Sequence, residues 1–326
     1  MKIIEPSYEI IDRDHLLTPA QKIELVGRTC YKSEDKITDT SAAPFVKRLI
    51  ENGHEAMLEH ASILFTMKRT AFETMRRICF LYEECTGKPC FLHRSYHPVS
   101  VFQGIVSGNI RAWRDLVLFA AHRGGDDVTF PYGIFRLLTD FPEFFFDCPA
   151  DYDKTCFGIM DLLDTTGFLR YGTPDQIQRH YPLTVQFDVD IAVARELCRH
   201  RLASHAGAST RYCDYAGGKF GGETTVVMPE EDFSADWARA AHYAEDKYLA
   251  QRQDGISPEI ARSALTVSTL AEHVVTATLD EWKHIFRLRA LDKTGKAHPQ
   301  MKQVMLPLYQ ECREWLPEVF GNLENE

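Results

Sequence analysis

No apolar run in the sequence approaches the ~20 residues that a membrane-spanning helix requires, so no membrane partner is expected. The opening residues, MKIIEPSYEIIDRDH, meet charge within a few positions and offer no apolar stretch of signal-peptide type. The nine cysteines contain no CxxC pair, which argues for free thiols rather than a disulfide framework or a metal site. These absences predict a soluble, cytoplasmic protein without a bound metal. Positive charge is in deficit too: a net charge of -10 argues against a general nucleic-acid-binding surface. There is no GxSxG elbow, no phosphate-binding GxxxxGK[ST] loop and no GxGxxG after a strand, so the commonest nucleophile and dinucleotide signatures are missing.

What is present is ample material for a core: 326 residues, 44% of them hydrophobic, enough for one large domain or a domain with an insertion. Alternation at Ile3, Ile4, Tyr8 and Ile10 suits a short strand, and Thr18-Pro19 announces a capped helix. Phe45, Val46, Leu49 and Ile50 recur at helical spacing up to Asn52-Gly53. ASILFTMK and YPLTVQFDVD read as strands, the second running into the helix IAVARELCRHR. Helical periodicity is read at AFETMRRICFLYEE, NIRAWRDLVLFAAHR, DWARAAHYAEDKYLAQR, SPEIARSALTVSTLAEHV, LDEWKHIFRLRAL and PQMKQVMLPLYQECREWL. Strands mixed with long helices and lacking regular βαβ alternation predict an α+β fold, a mixed sheet packed with helices.

The densest chemistry lies in ARELCRHRLASHAGASTRYCD, residues 194–214, where Arg195, Arg199, Arg201 and Arg211 oppose Glu196 alone. Guanidiniums this close repel one another unless they pair with acids elsewhere in the chain or hold an anion. Their planar forks suit phosphate oxygens, and Ser204, Ser209, Thr210 and Gly207 supply hydroxyls and a close backbone approach for such a cradle. Cationic surroundings predict depressed thiol pKa values for Cys198 and Cys213, unless Cys198 is simply a small core residue of its helix. In GHEAMLEH the two histidines, His54 and His60, are too far apart for a zinc-protease pair, and Glu55 and Glu59 either cap or pair. Arg262 follows the helix start Ser257-Pro258, and Arg287 and Arg289 complement a helix C-terminus whatever else they do.

Arg199-His200-Arg201, a gap of seven residues, Ser209 and then Arg211-Tyr212 together resemble the RHRx₇S motif of flavin-dependent thymidylate synthases. RTCY and GHEAMLEH are similar to N-terminal segments of that family, and SPEIARSAL and HIFRLRAL to its C-terminal helices. The resemblance covers roughly residues 1–67 and 184–320, which implies a core of 1–67 and 184–326 and an inserted subdomain of unassigned role at 68–183. It further implies reductive methylation of dUMP to dTMP, with bound FAD, methylenetetrahydrofolate as carbon donor and NADPH as reductant. By the same resemblance Arg199, His200 and Arg201 hold FAD, with His54, Glu59, His284 and His298 around it. Arg195, Glu196, Ser209, Arg211 and Arg262 would bind the nucleotide, and Arg289 would address the pyrimidine, with Arg289 and Ser209 nearest the chemistry. Ser209 is then a hydrogen-bonding residue, and the reducing equivalents come from the flavin. A homotetramer with shared active sites follows from the resemblance as well. The sequence departs from the family at Glu196, where many members have Gln, and at Ala206-Gly207, where a polar Gln or Glu is usual. Thr278 and Asp280 replace an Asn and an Arg found in some members. These departures leave open the same chemistry on another pyrimidine nucleotide, or a non-catalytic flavin- or nucleotide-binding homologue.

Overall fold

The computed structural model describes residues 1–123, 137–148, 160–211, 213–229 and 234–325. Its strands are β1 (Lys2–Ile4), β2 (Ser7–Ile11), β3 (Ser62–Met67), β4 (His93–Tyr96), β5 (Gly104–Asn109), β6 (Met160–Leu162), β7 (Pro182–Asp190), β8 (Ser204–Gly207), β9 (Thr225–Val227) and β10 (Leu270–Thr278). By contacts the chain divides into two compact units. Unit 1 comprises Met1–Ile11, Val26–Asp35 and Leu183–Glu326; unit 2 comprises Asp12–Leu25 and Lys36–Pro182. Residues 36–67 therefore share a unit with 68–182. Among the described residues no helix is long and apolar enough to cross a membrane.

Unit 2 is built on an antiparallel sheet of order β4-β5-β3-β6. The helix Ala42–Glu51 shows how the sequence dictates its packing. Phe45, Val46, Leu49 and Ile50 fall on one face, and all are buried. Each such side chain contributes roughly 1.5–3 kcal/mol on burial. The helix ends where Gly53 takes φ +70 and the His54 N–H reaches back to the Leu49 carbonyl at 2.8 Å, the longer bond of a Schellman end. Helix Ile110–Arg123 carries Trp113, fully buried, whose indole N–H donates to the Ile63 carbonyl at 3.1 Å and whose ring meets Phe65 edge-on. Its neighbour Arg114 is equally buried, but its fork is held by both carboxylate oxygens of Asp147 at 2.9 and 2.8 Å.

Unit 1 holds a second sheet of order β2-β7-β10-β8, in which β2 pairs antiparallel with β7 and β10 antiparallel with β8. A separate parallel pair, β1 with β9, supplies the mixed strand direction. Trp282 on helix Leu279–Arg289 is buried and donates to the Leu183 carbonyl at 3.0 Å; Phe286, Tyr309 and Phe320 continue the aromatic core behind it. The α+β class holds. One expected helix does not: SPEIARSALTVSTLAEHV forms only the short helix Pro258–Ala261 and a 3₁₀ turn at Arg262–Ala264 before entering strand β10. The run His273–Ala277 is buried on both faces of a strand that lies between β7 and β8, and a continuously buried run of that kind does not reveal its period. β-branched Val274, Val275 and Thr276 favour the strand.

Candidate active site

The site grows from the junction of β7 and the helix Ile191–Leu197. Asp190 caps that helix, its carboxylate accepting from the Val193 N–H at 2.7 Å. Fully buried Gln300 clamps the same residue, accepting from the Asp190 N–H at 3.0 Å and donating to its carboxylate at 3.2 Å. The helix entry is thus fixed from within the core. After Leu197 the backbone tightens into successive i→i+3 bonds, Arg199 to Glu196 and His200 to Leu197. His200 and Arg201 accordingly begin the loop that the sequence predicts.

Around that helix end lie two clusters within unit 1. In the first, the Arg289 guanidinium donates to the Glu196 carboxylate at 2.8 Å, to the Glu196 carbonyl at 3.3 Å and to His200 Nε2 at 3.2 Å. His200 is buried, and that burial, with Arg289 and His284 beside it, pushes its imidazole down to about 4. The ring is therefore neutral near pH 7. Accepting at Nε2 assigns its proton to Nδ1, which faces Glu281 at 3.8 Å. His284 is exposed, its ring 6.0 Å from that of His200. Glu196, which stands where many relatives of the motif have Gln, is thus neutralised by Arg289 rather than by Arg195.

The second cluster lines a cavity of about 850 Å³ whose wall includes Arg195, Cys198, His205, Ser209, Arg262 and His273. Strand β8 places His205 beside β10, where its Nδ1 lies 3.1 Å from His273 Nε2, while His205 Nε2 lies 3.0 Å from the His200 carbonyl. Burial lowers both rings, His273 to about 4. Gly207 is needed here: a Cβ on it would approach His273 Nδ1 to 3.0 Å. Ser209 is anchored by its N–H to the Cys30 carbonyl at 3.3 Å, and Arg262 donates to the Thr210 hydroxyl at 3.0 Å. Arg211 pairs with Glu259 at 3.2 Å in an exposed bridge. The guanidiniums of Arg195, Arg199 and Arg201 are exposed and make no ion pair or hydrogen bond among the described residues. Tyr212 of the motif lies outside the described residues.

The remaining expected site residues are not members of these clusters. His298 caps helix Pro299–Trp315, its Nδ1 accepting from the Gln300 N–H at 3.3 Å. His54 and Glu59 belong to unit 2, His54 exposed and Glu59 paired with Arg111 at 2.7 Å. The expected acidity of Cys198 is corrected: burial of its sulfur raises the thiol instead. Cys213 is buried in a small cluster with Tyr215, Tyr248 and Ala261. Sequence reasoning missed His273 and Glu281, because no motif spacing marks them. Assigning 270–278 to a strand opposite 204–207 would have found His273.

The family described as thymidylate synthase complementing protein matches residues 13–79 and 167–318, more than half of the chain. No curated protein matches it in sequence. Among solved structures, the chain is similar to a UMP/dUMP methylase, PolB, from Streptomyces cacaoi bound with 5-Br dUMP, at 22% identity and a TM-score of 0.37 over 49% of this chain and 80% of that one. It is also similar to thymidylate synthase X from Helicobacter pylori with FAD and dUMP, at 15% identity and a TM-score of 0.37 over 44% and 74% of the two chains.

Proposed function

Because the chain belongs to the thymidylate synthase complementing family, the flavin-dependent thymidylate synthases, we propose that it methylates dUMP reductively to dTMP. In this reading methylenetetrahydrofolate donates the carbon, NADPH is the reductant, and the enzyme is a cytoplasmic homotetramer with shared sites. The observation that carries it is the set of exposed guanidiniums, Arg195, Arg199 and Arg201, that have no acidic partner among the described residues, the first of them lining a cavity of nucleotide size. Unpaired arginines suit phosphate-bearing ligands, and the donor set at Arg199 and Arg201 fits the pyrophosphate of FAD.

FAD, when bound, supplies the reducing equivalents. Arg199, His200, Arg201, His284 and His298 would hold it, joined by His54 and Glu59. Arg195, Ser209, Arg211 and Arg262 would cradle the nucleotide phosphate, with Ser209 donating its hydroxyl proton. Arg289 would stabilise negative charge developing on the pyrimidine, and its orientation is set in advance by Glu196 and neutral His200. The insertion is taken as residues 68–183, of which 80–166 lies between the two family-matched stretches. A second reading, the same chemistry on another pyrimidine nucleotide, is favoured by Gly207. That glycine leaves the cavity wall to His273, where the family usually offers a longer polar side chain.

The test is the visible spectrum of the purified protein, followed by addition of dUMP and then by release of tritium from C5-labelled dUMP with the folate and NADPH present. Flavin bands perturbed by dUMP, with tritium released, are expected. Release from labelled UMP or dCMP but not dUMP selects the second reading. Bound flavin with no release from any of them means a binding protein without catalysis, and a protein that takes up no FAD overturns the proposal.

A further inference from the structure

The cavity wall carries a set of side chains that the nucleotide reading does not use. Cys198 Sγ, His205 and His273 converge from three elements: the end of helix Ile191–Leu197, strand β8 and strand β10. Their ligand atoms all lie within 4.8 Å of one another. His205 Nδ1 and His273 Nε2 are 3.1 Å apart, and His273 Nε2 is 3.8 Å from Cys198 Sγ. A tetrahedral zinc ion with bonds of about 2.0–2.1 Å to nitrogen and about 2.3 Å to sulfur would hold two nitrogens roughly 3.3 Å apart and nitrogen and sulfur roughly 3.6 Å apart. Both measured separations fall within a few tenths of an ångström of that geometry.

We propose that Cys198, His205 and His273 form a binding site for a thiolate- and imidazole-preferring divalent ion, zinc by its chemistry, with a fourth coordination position open to the cavity. The surroundings orient the ligands for it. His205 Nε2 faces the His200 carbonyl at 3.0 Å, so the ring donates its proton there and turns the Nδ1 lone pair toward His273, the second-shell arrangement that metal-binding histidines use. Coordination would replace the hydrogen bond that His273 Nε2 now makes to His205 Nδ1, with the His273 proton carried at Nδ1 instead. A thiolate offsets part of the ion's charge beside Arg195, and an anionic oxygen at the open position, hydroxide or phosphate, offsets the rest. The other convergent group, His200, Glu281 and His284, is a weaker candidate because the Arg289 guanidinium already occupies His200 Nε2. The inferred site was not visible in ligand spacing, since its three members are scattered from residue 198 to residue 273.

The full chain, with its flavin, is dialysed against buffered zinc, and metal and protein are measured by elemental analysis. A single zinc per chain is expected, and zinc-edge X-ray absorption should show one sulfur at about 2.3 Å together with nitrogen or oxygen at about 2.0–2.1 Å. Cys198→Ser and His273→Ala should each weaken zinc binding by at least about tenfold, while Cys85→Ser, an exposed cysteine of unit 2, should leave it unchanged. Circular dichroism checks that the variants fold. Where one does not, the absorption spectrum of the native protein decides alone. Substoichiometric zinc, a shell without sulfur, or a folded Cys198→Ser that binds as tightly as the parent overturns the proposal, and each outcome is independent of whether dUMP is the substrate.

Discussion

His180 offers a prediction whose size follows from the structure. It is 2% exposed, and its two ring nitrogens each lie 2.7 Å from a serine hydroxyl, Nδ1 from Ser107 on β5 and Nε2 from Ser95 on β4. Burial, with His93 and Arg179 nearby, pushes its pKa from about 6.5 down to about 3. The folded-state pKa is therefore depressed for a cationic acid, and the sign follows. Above the unfolded value neither state takes up a proton, and the site is neutral toward pH. As pH falls below it, the unfolded chain binds a proton that the folded chain refuses, and stability is lost until pH reaches the folded value. Near pH 5 the unfolded ring lies about 1.5 units above ambient pH, so at 1.36 kcal/mol per unit the loss is about 2 kcal/mol. That magnitude does not depend on how far below 5 the folded pKa lies. The perturbation is His180→Gln, and the assay is urea unfolding of parent and variant at about pH 7.5 and about pH 5. Other titrating groups cancel in the double difference, so the parent should lose about 2 kcal/mol more than the variant on acidification. Equal acid losses in the two proteins would refute the argument that this histidine is folded in its neutral form.

Three further outcomes are expected. Arg199→Ala should lose bound FAD while melting at the parent temperature, because an exposed arginine contributes little to the core; a variant that purifies with full flavin-to-protein absorbance would falsify the FAD assignment. Arg211→Ala breaks only an exposed bridge to Glu259, worth roughly 0.2–1 kcal/mol to the fold, yet losing a phosphate contact of about 2 kcal/mol should raise the nucleotide KM at least about tenfold with FAD content unchanged. Steady-state kinetics showing equal losses of nucleotide and flavin would sink that role. Gly207→Ala should lower the melting temperature, since its methyl must displace the His273 ring from a 3.0 Å approach at a cost of about 1–3 kcal/mol; an unchanged melt means the ring moves freely.

The sequence made most of this architecture legible wherever a period was long enough to declare itself. The helix Ala42–Glu51 and its glycine stop, the strand Ser62–Met67 and the loop that opens at His200 are found where spacing places them. The motif Arg199-His200-Arg201 with Ser209 is local in sequence, its two parts lying at either end of the short strand β8. What stayed hidden was set by tertiary contact. Strand β10 reads as helix because burial on both faces erases alternation, and with it His273 vanished from view. The Arg289–Glu196 bridge joins residues 93 positions apart, and the Cys198 thiol is raised by a burial that no charge count could foretell.

The interleaved path of the chain has a consequence for how the protein is made. In unit 1, Ser7 of β2 stands opposite Asp188 of β7, so β2 emerges from the ribosome long before its partner exists. Unit 2 is nearly continuous from Lys36 to Pro182, and its sheet can close as soon as that stretch has been synthesised. The N-terminal segment must meanwhile wait, unpaired, with one edge open to chance pairing. The order of assembly is thus inside first and ends last: the inner stretch sets before the arms that will carry the arginine motif are complete. Long-range closure of this kind is slow because its loop entropy is lost before the contacts form. A nascent chain halted short of β7 would therefore present a folded unit 2 with β1 and β2 loose, a species on which chaperone capture during translation would be concentrated.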